Sequence, residues 1–217
     1  MTQELTAAVR PATRGYIHLI VALLAPAALL HLLVVAGSAT DYVGSAIFGA
    51  SLILLYAASA IRHVVSWTPR ALCVVRRLDH SMAFVLIGGT YTPFALKAMS
   101  LGWGISVLSV VWVLAGIGML LTIAWPGASR RLRVGVYLAS GWVALAAVSE
   151  LATTLPGTAF IMIVLGGLLY SAGAVIFLTR WPDPFPVLFG YHEVFHSFVV
   201  AATAVFYFVV VVYVMPL

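Results

Sequence analysis

The chain has 217 residues, 64% of them hydrophobic and only 8% charged, with a mean hydropathy of +1.14. A soluble domain carries about 25% charged residues, so this composition excludes a compact water-soluble monomer and describes an integral membrane protein. The net charge of +5 reads as a topology signal, and no basic patch interleaved with exposed aromatics points to nucleic acid. A helix needs about 20 apolar residues to cross a bilayer. In chain order the predicted spans are Gly15–Ala36, Val43–Val64, Leu78–Leu96, Trp103–Ile123, Leu132–Leu151, Thr158–Leu178 and Phe189–Val214, seven in all. The runs are continuous, whereas barrel strands alternate apolar and polar residues. The expected fold class is therefore an all-α membrane protein, a seven-transmembrane helix bundle. Residues 1–14 form a short cytoplasmic segment in this reading, and residues 15–217 form a single transmembrane domain.

Lys and Arg set the orientation. With the N-terminus cytoplasmic and the C-terminus outside, Arg10, Arg14, Arg62, Arg70, Arg76, Arg77, Arg130, Arg131, Arg133 and Arg180 all fall inside, leaving only Lys97 outside. The single Cys73 excludes an intrachain disulfide and a cysteine-rich metal site. It is expected, reduced, in the loop between spans two and three. The first apolar run exceeds a signal-peptide h-region and is expected to be retained.

Given that topology, three segments bring polar groups to one depth. Span two ends inside with Ser59 and His63, span three starts inside with Asp79 and His80, and span seven starts inside with His192 and His196. Residues i and i+4 share a helix face, so His192 and His196 can hold one ligand together. Ionisable groups within a bilayer are costly and mark functional cavities. Each residue has a plainer reading: His63 as an interfacial polar group, Asp79 as a surface ion pair with Arg76 or Arg77, Ser59 as a small packing residue. Their common depth favours a metal. The chemistry fits Zn2+, whose catalytic sites commonly use three protein ligands and leave a fourth position to water. His63, His192 and His196 supply three imidazoles, Asp79 orients a ligand or holds the water, and Ser59 donates to an oxyanion or to Asp79.

The segment His192-Glu193-Val194-Phe195-His196 also satisfies H-E-x-x-H, in which the glutamate is a protease's general base. The metzincin continuation is missing, since Ser197-Phe198-Val199-Val200 follows, and no Asp-Gly pair occurs. A metalloprotease is the weaker reading. His18 falls in the inner half of span one, where lining the same cavity competes with simple packing; His31 and Glu150 lie towards the outer side and carry no assigned chemistry.

Ser59-Ala60-Ile61-Arg62-His63, Asp79-His80 followed by Gly89-Thr90-Tyr91-Thr92-Pro93-Phe94, Gly141-Trp142, and the stretch from Gly190 to His196 resemble the motifs of the haemolysin III family, the bacterial branch of the progestin and adipoQ receptors. The resemblance runs from about Arg14 to the end of the chain. One departure is Arg62, where relatives often carry an aromatic residue. The resemblance implies a seven-helix bundle in a bacterial inner membrane, with Zn2+ bound by His63, His192 and His196 and with Ser59 and Asp79 as the remaining site residues. Ceramidases belong to the wider superfamily, so the expected function is metal-dependent hydrolysis of lipid amide or ester bonds, with membrane lipids, ceramide-like or other acyl lipids, as substrates. The alternatives are a non-enzymatic sensor or receptor-like protein with structural zinc, and a cytolytic pore-former, the last disfavoured because no amphipathic span is available to line a wide pore.

Overall fold

The computed structural model describes residues 13–125 and 127–217. Arg10 and most of the 1–14 segment lie outside the described residues. Helix α1 spans Tyr16–Val35, α2 Ala39–Val64, α3 Pro69–Lys97 and α4 Leu101–Ala124. Helix α5 spans Arg130–Gly141, α6 Val148–Thr154, α7 Gly157–Thr179 and α8 Tyr191–Val209, the last continuing as a π-helical turn over Val210–Val214. The described residues contain no strand beyond an isolated bridge between Phe185 and Phe189.

Local chemistry sets the helix ends. Ser38 opens α2 with a capping box: its Oγ accepts from Asp41 N, and Asp41 Oδ2 accepts from Ser38 N at 2.9 Å. Thr68 caps α3 with Pro69 in its first turn. That cap starts α3 well ahead of the expected Leu78, so Arg70, Cys73, Arg76 and Arg77 are helical and do not lie in a loop. Hydropathy locates where a helix becomes apolar, while the cap decides where it begins.

Among the described residues, six segments are long and apolar enough to cross a membrane: α1, α2, α4, Arg130–Thr154, α7 and Tyr191–Val214. Helix α3 is longer than any of these at 29 residues, but it carries Arg70, Arg76, Arg77, Asp79 and Lys97 along its length. The expected span Leu132–Leu151 is broken. Between α5 and α6 the chain tightens to a 3₁₀ helix over Trp142–Ala147. The cause is Tyr91 of α3, whose hydroxyl donates to Gly141 O at 2.6 Å and accepts from Ala144 N at 2.8 Å. A side chain inserted into the backbone ladder interrupts the i to i−4 pattern.

Helices α2, α3 and α8 supply the core, with Phe48, Leu52 and Tyr56 packed with Leu86, Phe94 and Val199. Tyr56 OH donates to Thr203 Oγ1 at 2.8 Å, and Tyr170 OH meets the same oxygen at 2.8 Å, which joins α2, α7 and α8. The outer faces are apolar, as at Leu23, Leu120 and Ile161. This inside-polar, outside-apolar arrangement suits a lipid solvent.

Candidate metal centre

Each histidine arrives from a helix end. The last turn of α2 carries His63, and the first two turns of α8 carry His192 and His196. All three are buried. His192 Nε2 lies 3.2 Å from His63 Nε2, and one ring nitrogen from each of the three falls within 4.8 Å of the others. His196 Nδ1 is buried with no hydrogen-bond partner among the described residues. A buried polar atom left without a partner is costly, and a ligating nitrogen is the natural resolution. The donor set therefore fits a divalent metal that accepts imidazole; it does not by itself identify the metal.

The helix that carries the pair is held from behind. Glu193 Oε2 accepts from Gly190 N at 2.9 Å, closing the first turn of α8, and Glu193 Oε1 pairs with Arg14 Nε at 3.2 Å. Both oxygens are thus engaged away from the histidines, which removes the local basis for reading the H-E-x-x-H segment as a protease. On the other side, Gly15 takes φ +90° at the start of α1, and a Cβ there would fall onto His63 Cβ. The α1 entry packs directly on one of the three clustered histidines, in a conformation that glycine tolerates.

Ser59 and Asp79 join the same cluster, though in a different pairing from the expected one. Asp79 is buried and its carboxylate pairs with Arg62 at 2.5 Å, so neither Arg76 nor Arg77 is its partner. Arg62 Nη1 also lies 3.1 Å from His80 Nε2. The Ser59 hydroxyl lies 2.7 Å from His18 Nδ1 and lines the same cavity as Asp79. His18 in turn stacks on His196, ring centroids 3.7 Å apart and planes 11° from parallel. His18 thus belongs to the site, contacting a ligand candidate and Ser59 together. His31, bonded to Tyr207 OH at 2.7 Å, and Glu150, which accepts from Ser100 N at 2.9 Å, sit apart from it.

A cavity of about 240 Å³ opens from this cluster into the bundle. His18, Ser59, Asp79, His192 and His196 line its polar end. Arg62, His80 and Arg133 also border it, and most of the remaining wall is apolar, with Leu86, Phe94, Leu151, Phe160, Val199 and Phe206 among its residues. It is a mostly greasy space with a small number of convergent polar groups, as small-molecule and lipid sites commonly are.

The profile of the family described as Haemolysin-III related matches residues 6–207. The chain belongs to the haemolysin III family. Haemolysin III relatives include a Hemolysin-3 homolog of Bacillus subtilis, 37% identical over 199 residues and 90% of each chain. Hemolysin-3 of Bacillus cereus is 35% identical over 205 residues, covering 92% of this chain and 89% of its own. The human Monocyte to macrophage differentiation factor is 27% identical over 206 residues, 92% of this chain and 82% of that one. Family membership and the apolar helices together make this a multi-pass membrane protein.

Among haemolysin III motifs, the paired histidines are visible from sequence because spacing and depth agree. His18 lacks such a signal, being a single histidine in an apolar run. What it does share is depth: it lies in the first turn of α1, at the same end of the bundle as the others.

Proposed function

We propose that this protein is a zinc-dependent hydrolase of lipid amide or ester bonds. The observation that carries the reading is the junction of three buried histidines with a largely apolar cavity of about 240 Å³ that also contains a buried carboxylate. In this reading α3 is the seventh span, the N-terminus is cytoplasmic, and His63, His192 and His196 hold the zinc near the inner leaflet. When bound there, zinc supplies Lewis acidity and lowers the pKa of water to about 7. The chain's own residues supply the rest. The apolar walls take the acyl chain and keep bulk water from it, setting the scissile carbonyl at the polar end. The Asp79 carboxylate, anchored by Arg62, accepts a proton from the attacking water as oxygen bonds to the acyl carbon. It returns that proton to the leaving nitrogen or oxygen as the carbon–heteroatom bond breaks. Ser59, whose hydroxyl pairs with His18 Nδ1 at the same polar end, stabilises the developing oxyanion.

The test is metal content of the detergent-purified chain by mass spectrometry, read with fatty-acid release from ceramide and other acyl lipids. About one zinc per chain is expected, lost in His63→Ala, His192→Ala and His196→Ala, and Asp79→Asn is expected to keep the metal while losing about 100-fold or more in turnover. Zinc that stabilises the protein against heat with no turnover on any lipid would overturn the hydrolase reading and leave zinc as a staple between α2 and α8.

A further inference from the structure

A second cavity, of about 300 Å³, borders His63 and His192. Its walls include Arg14, Arg62, Arg76, Arg77, Arg130 and Arg133. Two of these are neutralised, Arg14 by Glu193 and Arg62 by Asp79. The other four have no carboxylate partner among the described residues. The other acidic groups among the described residues are used elsewhere: Asp41 pairs with Lys97, Glu150 accepts from Ser100 N, and Asp183 accepts from Tyr191 N. Arg77 donates to Ile123 O at 3.2 Å, yet its buried Nε–H has no partner among the described residues. Arg130 donates to Phe177 O at 2.9 Å and lies over the Phe177 ring, which fixes its direction without cancelling its charge.

Membrane topology alone does not ask for this arrangement. A basic loop orients a helix whichever way its side chains point, and Arg70, Arg131 and Arg180 are exposed and do not line the cavity. Arg77, Arg130 and Arg133 are instead partly buried and turned into one space. Like charges held so close repel unless an anion lies between them, and guanidinium groups match phosphate oxygens with two parallel hydrogen bonds.

We infer that this cavity is a phosphate-binding site for a phosphate monoester. Its position names a substrate class as well, an assignment that rests on the hydrolase reading. His63 lines only the arginine cavity, His196 lines only the apolar one, and His192 lines both. Arg62, His80, Arg133 and Phe177 form further shared wall. The histidines thus stand at the boundary between a space for an acyl chain and a space for a phosphate. The substrate is an acylated lipid with a phosphate headgroup, and its amide or ester bond lies between the two.

The experiment is thermal unfolding of the full chain, purified in neutral detergent and phosphate-free buffer. Three probes are titrated: dioctanoyl phosphatidic acid, inorganic pyrophosphate, and dioctanoylglycerol as the phosphate-free match. A saturable rise in midpoint is expected with phosphatidic acid and none with dioctanoylglycerol. A rise with pyrophosphate as well assigns the site to free phosphates and headgroups alike, and a rise with phosphatidic acid alone assigns it to lipid headgroups. In the Arg77→Gln/Arg133→Gln chain, half-saturation is expected to need about tenfold more probe or beyond. Arg77→Lys/Arg133→Lys keeps the charge and is expected to fall between, which keeps the test decisive if the glutamine pair fails to fold. The same loss in the exposed pair Arg70→Gln/Arg131→Gln, or no saturable response to either phosphate probe, would overturn the site. Phosphate binding without lipid turnover removes only the hydrolase; turnover of neutral ceramide without phosphate binding removes only this site.

Discussion

Glu193 is 1% exposed, and its two oxygens serve Gly190 N and Arg14. Removing it strands a backbone N–H at the start of α8 and a cation beside it. Glu193→Ala is expected to cost about 3 kcal/mol, the range for breaking a buried ion pair. Glu193→Gln keeps an oxygen for Gly190 N and is expected to cost less. Both variants should retain the metal, since neither touches a ligand. Thermal midpoints read beside metal content test this, and a Glu193→Gln chain with wild-type stability but no turnover would restore the general-base role. At this scale the sequence is informative where spacing and depth coincide, as for His63, His192 and His196, and silent where a role depends on a distant contact. Arg62 reads as a harmless departure beside His63, yet it holds Asp79. Gly15 reads as a span boundary, yet its missing Cβ leaves room for His63. No local pattern encodes either pairing, because each joins residues from different helices.

Helix boundaries show the same division. Apolar runs locate α1, α2, α4, α7 and α8 well, while the start of α3 depends on Thr68 and Pro69, and the break after Gly141 depends on a hydroxyl from another helix. Close packing between elements rests on small residues in a similarly non-local way. A Cβ at Gly104 of α4 would run into the backbone carbonyl of Ala95 in α3, and a main-chain oxygen cannot rotate aside. Gly102 and Gly116 of the same helix have nothing within 4 Å of the corresponding position. Alanine at those two sites should be neutral or stabilise by about 0.5–1 kcal/mol through helix propensity. Gly104→Ala should destabilise by about 1–3 kcal/mol through overpacking. Thermal unfolding of the three variants gives the ordering, and equal effects at all three positions would mean that α3 and α4 are less closely seated than this.

Across the whole molecule, charge is divided between the two ends. At one end Lys97 is neutralised by Asp41 at 2.7 Å and also donates to Met215 O at 2.9 Å. At the other, arginines from α2, α3 and α5 gather around the histidines with few carboxylates among them. Such an asymmetric bundle is expected to insert with its arginine-rich end in the cytoplasm, because translocating uncompensated arginines is unfavourable. The lone native thiol makes this easy to check. In a Cys73→Ser chain, a single cysteine replaces either Arg70, exposed at the arginine end, or Thr40, exposed at the start of α2. A membrane-impermeant maleimide added to intact cells should label the cysteine at position 40 and spare the one at position 70, and permeabilising the cells should expose both. The reverse pattern would place the histidines near the outer leaflet and draw their substrate from that side. Labelling of both in intact cells would mean that the two ends do not lie across the bilayer from one another, and α3 would then lose its place as a span.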